Sequence, residues 1–180
     1  MWPWGHLVLG YAGYLLVRPA ARKRADRLTV VALVVGTQFA DLVDKPLGWW
    51  LGVLPSGRSL AHSVLVAALV VAVVAVVADR WGRPGIGGGF GFGYASHLLG
   101  DALVPLWQGS PDELTFLLWP LLPPPPYDEP VDLAGVIAFL RGTELSPLFL
   151  AELGVATLVG GALLYHFWYR TSVDPPRPRP

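Results

Sequence analysis

The chain has 180 residues, 53% of them apolar and only 14% charged, with a net charge of zero and a mean hydropathy of +0.50. Soluble globular domains carry about 25% charged residues, so the composition points to an integral membrane protein and excludes a disordered chain, which needs low hydrophobicity and high net charge. The 13 basic residues are balanced by 13 acidic ones, which leaves no cationic excess for nucleic acid, and the lack of cysteine removes disulfides, thiolate metal sites and cysteine nucleophiles.

Five apolar stretches follow one another along the chain: Trp2 to Val17, Leu28 to Val43, Leu60 to Ala78, Gly85 to Trp107 and Leu148 to Trp168. None alternates polar with apolar residues as a strand would, so the expected fold class is all-α, a polytopic transmembrane helical bundle of about five segments. The first stretch has no basic residues ahead of it and reads as a retained membrane segment instead of a signal peptide, which keeps His6 in the protein. The first two stretches are short against the roughly 20 residues that cross a bilayer, so they thin the bilayer or bury their ends under neighbouring protein. In the fourth, the run GIGGGFGFG (Gly85 to Gly93) follows no strand and so is no dinucleotide loop. Gly89 and Gly93 stand four apart, the small-residue spacing that lets membrane helices approach closely.

The fourth and fifth stretches are joined by an acidic, proline-rich segment, 108–147, in which the proline run Pro123 to Pro126 stops any helix and Asp132 to Leu140 is expected to form a short interfacial helix. The whole reads as one integral membrane domain over 1–170, followed by a Pro/Arg-rich disordered tail over 171–180. Ten of the 13 basic residues (Arg18, Arg22, Lys23, Arg24, Arg27, Arg80, Arg83, Arg170, Arg177, Arg179) fall on one side of this arrangement, and Lys45, Arg58 and Arg141 on the other. The positive-inside rule puts the ten in the cytoplasm, hence a multi-pass cell-membrane protein with its N-terminus outside and its C-terminus inside. Trp2, Trp4, Trp49, Trp50, Trp107 and Trp119 then collect at the outer boundary, as anchors at headgroup depth.

With this orientation the ionisable residues of four segments converge on the outer side. His6 begins the first segment. Asp41 and Asp44 end the second, three residues apart. Arg58, His62 and Ser63 open the third, and His97 and Asp101 lie four apart on one face of the fourth. Ionisable groups inside membrane helices are costly and mark functional sites. Imidazoles with carboxylates are a ligand set for zinc or a similar divalent ion, and a further carboxylate can act as base toward water. A structural hydrogen-bonded network between helices is the plain alternative. Arg58, one helical turn before His62 if the third helix starts early enough, suits an anionic oxygen such as a phosphate. His166, at the opposite end, is set aside.

At these residues the chain resembles the membrane-bound metal-dependent hydrolases, a family that includes LexA-binding, inner-membrane-associated hydrolases. The resemblance lies in GHLVLG (Gly5 to Gly10), GTQFADLVDKP (Gly36 to Pro46), RSLAHSVL (Arg58 to Leu65), GYASHLLGDAL (Gly93 to Leu103) and LLWPLL (Leu117 to Leu122), which run in the family's order over the first two-thirds of the chain. It implies His6, Asp41, His62, His97 and Asp101 as metal ligands. Asp41 matches the first acid of the family's Pro-Asp-x-Asp, whereas the second is displaced by one residue, to Asp44, which leaves Asp44 outside the implied set.

The function expected from residues and resemblance together is a metal-dependent hydrolase at the extracytoplasmic face, with zinc as cofactor and Asp41 and Arg58 as catalytic groups. Its substrate is a phosphoester lipid or lipid-linked amphiphile reached from the membrane. The alternatives are a metal-ion or small-solute transporter, disfavoured by the apolar cytoplasmic halves of the third and fifth segments and the absence of internal repeats, and a non-catalytic membrane scaffold.

Overall fold

A computed structural model describes residues 2–17, 26–125 and 147–173. All five apolar stretches are helices: α1 (Pro3–Val17), α2 (Arg27–Lys45), α3 (Val64–Arg80), α4 (Pro84–Gln108) and α5 (Pro147–Val173). A π-helical turn, Pro46–Trp50, continues α2, and a 3-10 helix, Pro111–Leu118, follows α4. Among the described residues there is no strand, so the fold is all-α. The chain divides into two compact units, Met1–Glu144 and Leu145–Pro180. The first holds α1 to α4; the second holds α5. The expected interfacial helix at Asp132 to Leu140 and residues 174–180 lie outside the described residues.

The helix boundaries have local chemical causes. Asp26 caps α2 by accepting the Thr29 N–H at 2.7 Å, and Ser63 caps α3 by accepting that of Leu65. Pro84 occupies the first turn of α4, where its missing N–H costs nothing. Gly109 ends α4 in the left-handed region at φ 73°. The third apolar stretch was expected to be helical from Leu60, but the helix starts at Val64. Residues 51–63 form a connecting loop, held away from helical geometry by bonds described below.

In the first unit α4 is central, packing against α2 most extensively and also against α3 and α1, while α1 also touches α2. The α2–α4 crossing is a backbone-to-backbone approach. A Cβ on Gly93 would run into the Leu33 carbonyl and the Thr37 amide, one on Gly36 into the Phe90 carbonyl and the Tyr94 amide, and one on Gly89 into the Thr29 carbonyl. The Gly89/Gly93 spacing thus does what its period predicts, and the glycine run is helix, not a phosphate loop.

The unit buries polar and charged side chains beside an apolar core and leaves large apolar ones outside. His6, Thr37, Asp41, Asp44, Ser59, His62, Ser63, His97 and Asp101 are buried, whereas Leu28, Val31, Val35 and Leu42 of α2, Leu65, Leu69, Val73 and Val76 of α3, and Leu99, Leu103 and Leu106 of α4 face outward. Even so, among the described residues no helix is long and apolar enough to cross a membrane. At 17 residues α3 measures about 25 Å, against a hydrocarbon core of about 30 Å. The longer α4 dilutes its apolar residues with glycines and carries His97 and Asp101.

The crossing makes a sharp contrast between glycines of the same helix. Gly93→Val is expected to cost about 1–3 kcal/mol or more by overpacking, and to lower the melting temperature of the purified protein accordingly. Gly88, with nothing within 4 Å of an added Cβ, is expected to accept alanine with a gain of about 0.5–1 kcal/mol. Equal melting temperatures for the two variants would show that the helices do not meet at Gly93.

Candidate metal centre

Three of the four positions that form the centre are placed by the α2–α4 crossing. Asp41 lies one helical turn beyond Thr37, and His97 and Asp101 lie one and two turns beyond Gly93. The fourth, His62, comes from the end of the 51–63 loop.

His97 Nδ1 is 2.7 Å from the Thr37 carbonyl oxygen. A carbonyl only accepts, so Nδ1 carries the ring proton and Nε2 presents its lone pair. That lone pair points at His62 Nε2, 3.2 Å away. Asp41 Oδ1 lies 3.5 Å from His62 Nε2 and 3.8 Å from His97 Nε2, and Asp101 Oδ2 lies 3.4 and 3.8 Å from the same two nitrogens. One donor atom from each of Asp41, His62, His97 and Asp101 thus falls within 4.8 Å of all the others, and all four residues are buried.

The arrangement suits a divalent cation. In a tetrahedral site with bonds of 2.0–2.1 Å the donor atoms stand about 3.3–3.4 Å apart; the imidazole nitrogens here lie 3.2 Å from each other and 3.4 to 3.8 Å from the carboxylate oxygens, with all four donors within 4.8 Å. Two imidazoles with two carboxylates form a borderline-hard donor set suited to zinc and its neighbours. This buried group could therefore hold a divalent metal.

His6, the fifth ligand expected, sits against the group. Its Nε2 meets Asp101 Oδ1 at 3.2 Å, on the side of the carboxylate turned away from the two imidazoles, and its ring stacks on His97 with centroids 3.9 Å apart. Its Nδ1 is buried without a hydrogen-bond partner among the described residues.

Arg58 lies in the loop, not on α3, so the helical-turn relation to His62 does not hold. Its guanidinium instead spans Asp101, Nε to Oδ2 at 3.2 Å and Nη2 to Oδ1 at 3.5 Å, and stands over the Phe116 ring. Lys45, which the sequence reading counted only as an outer charge, reaches Asp41 Oδ2 at 2.5 Å across one turn of α2. Its i, i+4 spacing from Asp41 was the signal for this pair. The two cations are about a quarter exposed, 26% for Arg58 and 27% for Lys45, so they form the edge of the site that solvent reaches.

Asp44 is fully buried. It accepts from the backbone amides of Ser59, Ala61 and His62 at 2.8, 2.8 and 3.1 Å, and its Oδ2 lies 2.8 Å from His62 Nδ1. Two more bonds pin the loop: the Tyr94 hydroxyl donates to the Ala61 carbonyl at 2.5 Å, and the Ser63 hydroxyl donates to the Trp119 carbonyl at 2.6 Å. The Thr37 carbonyl and these loop amides are backbone groups, which leave no mark in a sequence. His166 falls on α5 in the second unit, and its side chain lies outside the described residues.

The chain belongs to the YdjM inner membrane protein family, whose model matches residues 1–171 and so takes in every residue of the site. No curated protein and no solved structure matches it.

Removing a ligand from such a group commonly weakens binding severely, because the remaining buried donors lose their shared charge. His97→Ala is expected to lower the zinc retained by purified protein at least about tenfold, and His166→Ala to leave it at the parental level. Elemental analysis decides, and equal metal content in both variants and the parent would refute the assignment.

Proposed function

We propose that the protein is a membrane-embedded, metal-dependent hydrolase acting at the extracytoplasmic face on a phosphoester lipid or lipid-linked substrate. The observation that carries the reading is the convergence of four buried donor atoms, with two imidazole nitrogens 3.2 Å apart. The family's inner-membrane description and the outward-facing leucines and valines support the membrane setting. The distribution of Lys and Arg supports five segments with the N-terminus outside and the C-terminus in the cytoplasm. Helices shorter than the bilayer core are accommodated there by local thinning.

In this reading Asp41, His62, His97 and Asp101 hold the ion, zinc by its fit to the donor set, and His6 braces Asp101 from the far side. A divalent ion in that position supplies positive charge that polarises an ester oxygen and acidifies water. The chain's own groups do the rest. Thr37 fixes the His97 tautomer, and His6 and Arg58 fix the rotamer of Asp101. Lys45 shares Asp41 with the centre and keeps one of its oxygens available as a ligand or as a base. Arg58 and Lys45, at the exposed edge, present two cations to an arriving anion. A guanidinium fork matches two phosphate oxygens, which favours a phosphoester over a neutral ester. The ion-paired network also gives the scaffold alternative its one supporting observation, since Lys45–Asp41 and Arg58–Asp101 balance charge without a metal.

The test is chelator-sensitive release of phosphate or of a phosphorylated headgroup from a lipid panel by reconstituted protein. Asp101→Asn is expected to abolish release together with the metal. Arg58→Ala is expected to keep the metal and to lower the rate about 10- to 100-fold, the equivalent of losing a charged hydrogen bond worth about 1.5–3 kcal/mol. A zinc-loaded protein inert against the whole panel would overturn the hydrolase reading in favour of transport or scaffolding.

A further inference from the structure

We infer that Asp44 is the positioning residue of this centre: it builds the 51–63 loop around its own carboxylate and, through His62 Nδ1, turns His62 Nε2 toward the other three donors. The inference rests on the metal reading above for its purpose, but not for its geometry.

Asp44 is not one of the four converging donors. An ionised carboxylate is acceptor-only, with about four lone-pair sites, and four N–H groups converge on Asp44: three backbone amides, from Ser59, Ala61 and His62, and the His62 ring. A carboxylate so occupied has little left to offer an ion. It also decides the state of the ring. An unprotonated Nδ1 would set one lone pair against another at 2.8 Å, so Nδ1 carries the proton and donates it to Oδ2. His97 Nε2 offers its lone pair to His62 Nε2 at 3.2 Å, so in the metal-free protein a proton on His62 Nε2 is donated across that contact. A divalent cation bound there would take the place of that proton, with both Nε2 atoms as donors.

The same carboxylate oxygen binds the His62 amide and the His62 ring. Backbone and side chain are therefore fixed to one point, and the ring cannot rotate without losing its bond to the carboxylate that holds the loop. Asp44 stands one turn after Asp41 on α2, so a single helix supplies one donor and orients another. Carboxylates that hold the distal nitrogen of a ligating histidine typically change metal affinity 10- to 100-fold when removed.

The experiment joins imidazole ¹⁵N–¹H NMR of the metal-free protein with zinc titration of the parent, Asp44→Asn and Tyr94→Phe. In the parent, His62 and His97 are both expected to carry a slowly exchanging proton on Nδ1. In Asp44→Asn the His62 ring proton is expected to shift or exchange away while that of His97 stays, and zinc affinity is expected to fall about 10- to 100-fold. Tyr94→Phe removes a different anchor of the same loop; it is expected to lower the melting temperature while zinc affinity changes less than threefold. If Asp44→Asn fails to fold, the parent spectrum still decides, because a His62 ring without a proton on Nδ1 overturns the assignment. So does an Asp44→Asn variant with parental zinc affinity, or a Tyr94→Phe variant that loses affinity equally. A parent that shows the Nδ1–H form but takes up no zinc overturns the metal reading and upholds the role of Asp44 in orienting His62.

Discussion

Three buried carboxylates gathered around one imidazole, that of His62, are the constraint around which this molecule is built. Unpaired, each ionised group would cost several kcal/mol in a low-dielectric interior, so each has to be given partners. Asp101 takes Arg58 and His6, Asp41 takes Lys45, and Asp44 takes three backbone amides and an imidazole. Asp41 Oδ1, left over from this pairing, and Asp101 Oδ2, which it shares with Arg58, are the oxygens that face the two imidazole nitrogens. The site thus lies inside a network of balanced charges, and its four converging donors could hold a divalent cation.

The scaffold serves this arrangement through small residues. The glycines at the α2–α4 crossing bring the two backbones close enough for a ring on α4 to reach a carbonyl on α2. A larger side chain at Gly93 would push α4 away and take His97 and Asp101 with it. Polar side chains share the interior with an apolar core and leucine and valine cover much of the outside, an arrangement that suits a hydrocarbon surrounding and the family's inner-membrane character. Removing a buried ligand in such a core is costly because its partners stay behind, uncompensated.

Much of this was legible in the sequence, because the signals that carry it are side-chain signals. Long runs of Val, Leu and Ala mark all five helices, with ends within a few residues of those observed. Gly89 and Gly93 announce a close crossing. His97 and Asp101, four apart, and Asp41, on another segment, announce shared faces. What the sequence did not disclose depends on backbone groups or on loop shape. The start of α3 at Val64, and not Leu60, follows from the Asp44 carboxylate gathering the Ser59, Ala61 and His62 amides. The attachment of Arg58 to Asp101 follows from that loop path, not from helical spacing. Asp44 looked like a displaced ligand because its partners are main-chain amides 15 to 18 residues away, a distance over which no residue pattern speaks.

The central claim is that Asp41, His62, His97 and Asp101 together hold one divalent ion. X-ray absorption fine structure at the zinc edge, on parent protein loaded with one equivalent of zinc, reads that claim directly. The account predicts a single shell of nitrogen and oxygen neighbours at about 2.0–2.2 Å, with the outer-shell scattering of two imidazole rings. A spectrum of hydrated zinc, or one without imidazole scattering, would contradict it.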